Sequence, residues 1–182
     1  MDFYLIIIIA LVVLATADLV VGVSNDAVNF LNSAIGSKAI SFRTVMIIAS
    51  LGVAAGAIFS SGLMEVARKG IFNPDLFYFD EIMVIFMAVM LTDILLLDFF
   101  NTLGMPTSTT VSIVFELLGA AVAISLIKIY MGGATESLLE FINVSKATQI
   151  IMGILLSVFI AFTVGAVAVS YTHLRAHETS GY

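Results

Sequence analysis

Long apolar runs constrain this chain more than any other feature of its sequence. They occupy residues 3–23, 44–66, 82–103, 111–130 and 150–170. Each run is close to the ~20 residues that an α-helix needs to cross a bilayer. Since 61% of the residues are hydrophobic and only 11% are charged, a water-soluble domain could not bury so much apolar surface. We therefore predict an all-α polytopic integral membrane protein with about five transmembrane helices.

Charge and residue usage exclude several classes of function. The net charge of −6 leaves no basic surface for nucleic acid, so we expect no nucleic-acid partner. The absence of cysteine excludes disulfides and thiolate chemistry. Both histidines, His173 and His177, lie beyond the last apolar run, so we expect no histidine-based metal site inside the membrane.

The end of the sequence, residues 171–182, differs abruptly in composition from what precedes it. It is mostly polar and shows no apolar periodicity. An ordinary solvated terminus is one interpretation, but the segment also resembles translated adaptor or vector sequence. We therefore predict a membrane domain over residues 1–170 and a non-native tail over residues 171–182.

Shorter segments lie between the apolar runs. Residues 24–37 are half polar and too short to span a bilayer, which predicts a separate half-helix or re-entrant segment. Residues 44–66 are rich in Gly and Ala, and such small residues favour close packing at the centre of a helix bundle. Residues 135–146 predict a short amphipathic helix at the membrane interface, with Leu138, Leu139 and Ile142 on one side.

The start of the chain allows two interpretations. Ala15-Thr16-Ala17 resembles a signal-peptide cleavage site, but the chain begins with Asp2 and lacks the basic residues of such a peptide. Lys38 and Arg43 follow the first span, which favours an N-terminus outside the cell by the positive-inside rule. Arg68 and Lys69, one span later, favour the opposite orientation.

Polar side chains cluster just after the first apolar run. Asn25, Asn29 and the pair Asn32/Ser33 recur at helical spacing, with Asp26 beside them. Carboxylate and carboxamide oxygens suit a hard cation such as sodium. The alternative is a polar face that forms hydrogen bonds with a neighbouring helix. We predict a cation site at Asn25, Asp26 and Asn29.

A second polar cluster interrupts the later apolar runs. Pro106 is followed by four hydroxyl residues, Thr107 to Thr110, and then by a long apolar segment. This pattern is typical of a helix N-terminus, whose free N–H groups and positive dipole end favour anions. An ordinary Ser or Thr N-cap is the alternative. Because neither cluster contains Lys or Arg, a bound anion would need a co-bound cation, which is the basis of symport.

At these two clusters the sequence resembles the inorganic phosphate transporter (PiT) family. Gly22-Val-Ser-Asn25-Asp26-Ala-Val-Asn29 is similar to the Gly-x-x-Asn-Asp-x-x-Asn signature of that family. Leu103-Gly-Met-Pro106-Thr-Ser108-Thr109-Thr110 is similar to its Gly-x-Pro-x-Ser-Thr-Thr element. The order and spacing of the motifs agree with the family over most of residues 3–170.

The resemblance implies a cation-coupled phosphate symporter built from two inverted repeats, in the plasma membrane of a bacterium. It implies phosphate contacts at Asp26 and at the residues that follow the break, which are Thr107, Ser108, Thr109 and Thr110. Sodium or a proton would be bound around Asn25, Asp26 and Asn29, with no resident cofactor. Only one Asn-Asp-x-x-Asn stretch is present, so we predict that the chain is the first repeat, completed by a missing C-terminal half or by a second copy.

Departures from the family pattern leave the substrate and the coupling ion open. Val111 stands where members often have His, and Phe115 and Glu116 stand where small residues are common. Sulfate-selective relatives exist, so a permease for sulfate or another oxyanion is an alternative. A membrane subunit that associates through its Gly and Ala faces without transporting is another.

Acidic residues inside the spans suggest one further alternative. Polar groups in hydrocarbon are costly, and Asp18, Asp93, Asp98 and Glu116 all lie in apolar runs. An intramembrane aspartyl protease would use Asp93 or Asp98 together with Asp18. The Tyr-Asp and Gly-x-Gly-Asp elements of such proteases are absent from the sequence. We therefore predict a transporter and not an enzyme.

Overall fold

The computed structural model describes residues 3–59, 70–105, 107–133 and 135–179, with side chains as far as residue 175. Every regular element in these ranges is helical. The α-helices are α1 (Phe3–Ser37), α2 (Phe42–Phe59), α3 (Phe79–Leu103), α4 (Thr109–Tyr130), α5 (Leu138–Phe141) and α6 (Val144–Thr179). Five of them, all except α5, are long and apolar enough to cross a membrane, with mean hydropathy between 1.9 and 2.8. This confirms the predicted all-α class with five spans.

Helix α1 differs from the prediction because residues 24–37 do not form a separate element. They continue the first span as one helix of 35 residues, about 52 Å long at 1.5 Å per residue. The core of a bilayer is only ~30 Å thick. The helix continues because nothing between Val23 and Ser37 breaks it, since the segment contains no proline.

Helices α1, α3 and α4 pack against one another and form the core that positions the polar clusters. On α3 the buried residues Val89, Asp93 and Leu97 recur every four positions, which places them on one helix face. The buried face of α4 includes Leu117 and Ala121. Polar side chains are also buried on these faces, so the core of the bundle is not purely apolar.

The link between α3 and α4 is a sharp helix end. Gly104 has φ of 68°, the left-handed conformation that glycine adopts readily. The N–H of Met105 donates to the carbonyl of Phe100 at 3.0 Å, as in a Schellman cap. Pro106 lies outside the described residues. Thr107 and Ser108 then lead into the first turn of α4, as the sequence predicts.

Helix α2 is not packed at the centre of the described part of the chain. The expectation that the Gly- and Ala-rich span packs centrally in the bundle is therefore wrong for these residues. Only 6% of its most apolar window is buried. At Gly52 and Gly56, no atom lies within 4 Å of the position that a Cβ would take. Helix α2 is described as far as Phe59. The predicted end of the span at Val66 and the charged residues Arg68 and Lys69, which bear on the topology, lie outside the described residues.

A small aromatic cap joins residues 70–78 to residues 137–143. The rings of Phe77 and Phe141 meet edge to face at 5.5 Å between centroids, and Phe72 pairs with Ile142 in an isolated antiparallel bridge. The predicted interfacial helix over residues 135–146 is therefore wrong in extent. Helix α5 covers only Leu138–Phe141, and the chain becomes helical again at Val144, because Phe141 and Ile142 are buried in the cap instead of lying on an exposed apolar face.

Residues 145–182 form a separate unit. Their regular structure is helix α6, which continues as far as Thr179 without a break after Ser170. The hydroxyl of Thr172 donates to the carbonyl of Ala168 at 2.8 Å, within the helix. The interpretation of residues 171–182 as a non-native tail stays a prediction.

Candidate functional site

Asp26 and Thr109 connect the two sequence clusters. The hydroxyl of Thr109 donates to both carboxylate oxygens of Asp26, at 3.1 and 3.3 Å. The two residues are 83 positions apart in the sequence, on α1 and at the first position of α4. The structure therefore places the carboxylate of the first cluster against the helix N-terminus of the second.

Two amide side chains of α1 hold the segment that precedes α4. The Nδ2 atoms of Asn25 and Asn29 donate to the same backbone carbonyl, that of Thr107, at 3.0 and 2.7 Å. Asn25 is buried, with 1% of its surface exposed, whereas Asn29 is exposed. These bonds match the helix-to-helix interpretation of the polar stripe, and the sodium site at Asn25, Asp26 and Asn29 stays a prediction. Asn32 and Ser33 lie outside this contact, on exposed positions of α1.

The hydroxyl residues at the start of α4 have different environments. Ser108 is the N-cap, and its Oγ accepts a hydrogen bond from the N–H of Val111 at 3.4 Å. Thr107 and Thr109 are half-buried, while Ser108 and Thr110 are exposed. The first N–H groups of an α-helix have no partner within the helix. The exposed side chains of Ser108 and Thr110 therefore lie beside donors that an anion is able to use.

Gly22 lies where α1 approaches the other two helices. A Cβ on Gly22 would lie 3.7 Å from Cγ2 of Thr109 and 4.0 Å from Cδ1 of Leu97. These are ordinary contact distances, so a methyl group fits and a larger side chain does not. The glycine of the first motif therefore lies at the contact between α1 and Thr109, with room for a methyl group.

A second buried polar cluster was not predicted as a site. The carboxyl groups of Asp18 on α1 and Asp93 on α3 lie within hydrogen-bonding distance of each other, and Glu116 on α4 is close enough to interact electrostatically with both. Ser112 donates to Oε1 of Glu116 at 2.8 Å. Asp98 is exposed and does not belong to the cluster. The sequence signal was the presence of acids in apolar runs, and Asp18 was paired there with Asp93 or Asp98 only as the acids of an aspartyl protease.

A half-buried ion pair lies near the C-terminal end of α4. Nζ of Lys128 lies 2.8 Å from Oε2 of Glu81, at the start of α3, and 2.9 Å from the carbonyl of Leu76. It also lies 4.4 Å from the ring centre of Tyr78. This pair joins α3, α4 and the aromatic cap, and sequence reasoning did not identify it because the two charges are far apart in the chain.

Comparison with known proteins agrees with the motifs. A model of the phosphate transporter family matches residues 22–180, which include both polar clusters. A protein of Thermococcus kodakarensis is 31% identical over 137 residues, which cover 74% of this chain and 30% of that protein. A protein of Mycobacterium bovis is 28% identical over 125 residues, 67% of this chain and 22% of the relative. A Helicobacter pylori protein is 33% identical over 102 residues, 55% of this chain and 19% of the relative.

The names of all three relatives describe them as phosphate permeases. The chain spans less than a third of the length of each of them. No solved structure matches it significantly. The family is one of permeases and not of enzymes, so the protease alternative is set aside although Asp18 does lie beside Asp93. Together with the five apolar helices, the match identifies an integral membrane protein that belongs to the phosphate transporter family.

Proposed function

We propose that this chain binds inorganic phosphate at the N-terminus of α4 and couples it to a cation held near Asp26. In this proposal it is the first repeat of a phosphate symporter in a bacterial plasma membrane. The observation that carries the proposal is the hydrogen bonding of Asp26 to Thr109, which brings a carboxylate to the start of a helix.

The phosphate site rests on the geometry of the first turn of α4. Ser108 and Thr110 are exposed there, beside backbone N–H groups at the positive end of the helix dipole. These groups are suited to phosphate oxygens without a Lys or Arg. Thr107 and Thr109 are held by α1 through the bonds described above, so they would orient the site in addition to contacting the anion.

The need for a cation follows from the charges. Phosphate at the start of α4 would lie close to the Asp26 carboxylate, and two negative charges repel strongly where the dielectric constant is low. A sodium ion or a proton at Asp26 removes this repulsion and so raises the affinity for phosphate. By reciprocity, bound phosphate raises the affinity for the cation to the same degree. The amides of Asn25 and Asn29 supply further oxygen ligands for sodium.

Binding of radiolabelled phosphate to the chain in lipid nanodiscs tests this proposal. We expect saturable binding that is at least about 10-fold tighter in sodium, or at lower pH, than in choline at higher pH. Asp26→Asn should remove this cation dependence. The matched control is Asp98→Asn, which changes an exposed acid outside both clusters and should leave binding unchanged.

Competition with unlabelled sulfate tests the substrate class. If sulfate displaces phosphate at equal or lower concentration, the chain is an oxyanion permease of another specificity. Absence of any phosphate binding by a folded chain, with either cation, would refute the proposal and favour the non-transporting subunit.

We further propose that transport requires a complementary half or a second copy of the chain. Inverted-repeat transporters place the substrate between two halves. Sodium-dependent uptake into proteoliposomes should therefore appear when the chain is reconstituted with a separately expressed C-terminal half of a full-length family member. Uptake by the chain without that half, at a stoichiometry of two copies, would assign the second role to a homo-oligomer.

A further inference from the structure

We propose that Asp18, Asp93 and Glu116 form a proton-binding site, distinct from the Asp26 site, in which Asp18 and Asp93 share one proton. The three residues come from α1, α3 and α4, so the site exists only where these helices pack together. It is independent of phosphate, and it is tested without phosphate.

The first argument is that each of the three acids has a buried carboxyl oxygen without a hydrogen-bond donor. Oδ1 of Asp18, Oδ1 of Asp93 and Oε2 of Glu116 are buried and have no hydrogen-bond partner. Asp93 is only 2% exposed, and its carboxyl faces that of Asp18. A shared proton would turn the repulsion between two such neighbouring carboxylates into a hydrogen bond.

The second argument is the lack of a compensating cation. Helices α1 and α3 contain no Lys, Arg or His, and the one basic residue of α4 is Lys128. Lys128 is more than three helical turns, about 18 Å, from Glu116, and it is paired with Glu81. Burying three negative charges without a counter-ion is very unfavourable in hydrocarbon. Neutralisation by protons is the way in which this cluster becomes stable.

The third argument concerns access. A cleft of about 280 Å³ between α3 and α4 is lined by Val89, Thr92 and Glu116, together with small residues of both helices. Glu116 therefore borders the cleft and also interacts electrostatically with Asp93. A proton that enters from water in the cleft would bind first at Glu116 and then at the pair, and it would leave by the same route. No covalent bond other than O–H changes.

A proton fits this cluster better than a metal ion. Among residues 3–59, 70–105, 107–133 and 135–179, no group of three or more His, Cys, Asp or Glu has an arrangement that holds a metal ion. The cluster is about two helical turns, roughly 10 Å, from Asn25 and Thr109 along their helices. It therefore lies on the same interface as the candidate substrate site without sharing residues with it.

Infrared spectroscopy of the full chain in lipid nanodiscs tests the proposal, because a protonated carboxylic acid has a C=O stretching band separate from that of carboxylates. At neutral pH, in potassium buffer without phosphate, we expect such a band that shifts in D₂O. Asp18→Asn and Asp93→Asn should each lower it, since an amide donates the hydrogen bond that the shared proton supplies in the wild type, and the remaining carboxyl of the pair then needs no proton. Asp98→Asn, on the same helix as Asp93 but exposed, should retain it.

Three results would overturn the inference. The first is the absence of a protonated-acid band in the wild-type chain at neutral pH. The second is an unchanged band in both Asp18→Asn and Asp93→Asn, with helix content by circular dichroism equal to that of the wild type. The third is loss of the wild-type band on addition of sodium, which would assign the cluster to a metal cation. None of these three results depends on whether the chain binds phosphate, which is measured separately.

Discussion

The hydroxyl of Thr109 bridges both oxygens of the Asp26 carboxylate, at 3.1 and 3.3 Å. This single side chain links the acid of α1 to the N-terminus of α4. Because hydrogen bonds to charged groups are stronger than neutral ones, it fixes the carboxylate at the point where the helix dipole is positive. The relationship explains why an acid and a run of hydroxyl residues, far apart in sequence, belong to one candidate site.

The first prediction concerns this bond. Thr109→Val removes the hydroxyl but keeps the shape, and we expect phosphate binding to weaken roughly 10- to 150-fold, which corresponds to a hydrogen bond of about 1.5–3 kcal/mol to a charged group. Thr109→Ser retains the hydroxyl and should bind nearly as well as the wild type. Equilibrium binding of labelled phosphate in nanodiscs measures both variants. Thr163→Val is the matched control, because the hydroxyl of Thr163 donates to a carbonyl within α6. Equal binding by Thr109→Val and the wild type would contradict the assignment.

The second prediction separates the two amides that hold Thr107. Asn25→Ala removes a buried donor and leaves a cavity, so we expect the free energy of unfolding to fall by about 2–4 kcal/mol. Asn29→Ala removes a donor from an exposed residue and should cost about 1 kcal/mol or less. Unfolding in SDS followed by circular dichroism measures both values. A larger effect of Asn29→Ala than of Asn25→Ala would show that burial does not determine how strongly each amide holds Thr107.

The third prediction tests the spacing at Gly22. A methyl group fits at 3.7 Å from Thr109, and alanine is the better helix former by about 0.5–1 kcal/mol. Gly22→Ala should therefore keep or slightly raise stability. Gly22→Leu should force α1 away from α3 and α4 and lower the free energy of unfolding by about 1–3 kcal/mol. It should also reduce phosphate binding. Gly153, where a Cβ would meet nothing within 4 Å, is the matched position, and Gly153→Leu should have little effect.

The fourth prediction concerns the pair formed by Lys128 and Glu81. Their side chains are 18% and 19% exposed, so solvent screens the pair only partly. Lys128→Met should destabilise the chain by about 1–3 kcal/mol because it leaves the Glu81 carboxylate without its partner. Adding Glu81→Gln to that variant should recover part of the loss. A double-mutant cycle by SDS unfolding gives the coupling energy, and a coupling near zero would contradict the ion pair. Lys38→Met, at an exposed position, is the control.

Much of the fold was readable from local sequence. The number of spans followed from apolar runs near the length that crosses a bilayer, and the end of α3 followed from Gly104 and the proline after it. A helix N-terminus in the hydroxyl run after Pro106 was also predicted, and the structure identifies Ser108 as its N-cap. These features depend on residues within one or two turns of each other, so they can be predicted from local sequence alone.

Other local predictions failed where a distant segment competed. Leu138, Leu139 and Ile142 were predicted to share one face of an interfacial helix. The structure instead buries Ile142 against Phe72 in the cap and leaves Leu139 71% exposed. Phe141 and Ile142 are buried with aromatic residues of the segment that precedes α3. This burial outweighs the weak preference of a short segment for helix.

The sequence by itself determined that the chain spans a membrane and that its Asn-Asp-x-x-Asn and Ser-Thr-Thr stretches are polar exceptions in apolar surroundings. Only the tertiary structure decided what these exceptions face. Asp26 meets Thr109, and Asp18 meets Asp93, because α1, α3 and α4 pack together. The physical reason is that a buried polar group is stabilised by its partner and not by its own helix. Helical periodicity reveals which face a residue occupies, but not which other helix covers that face.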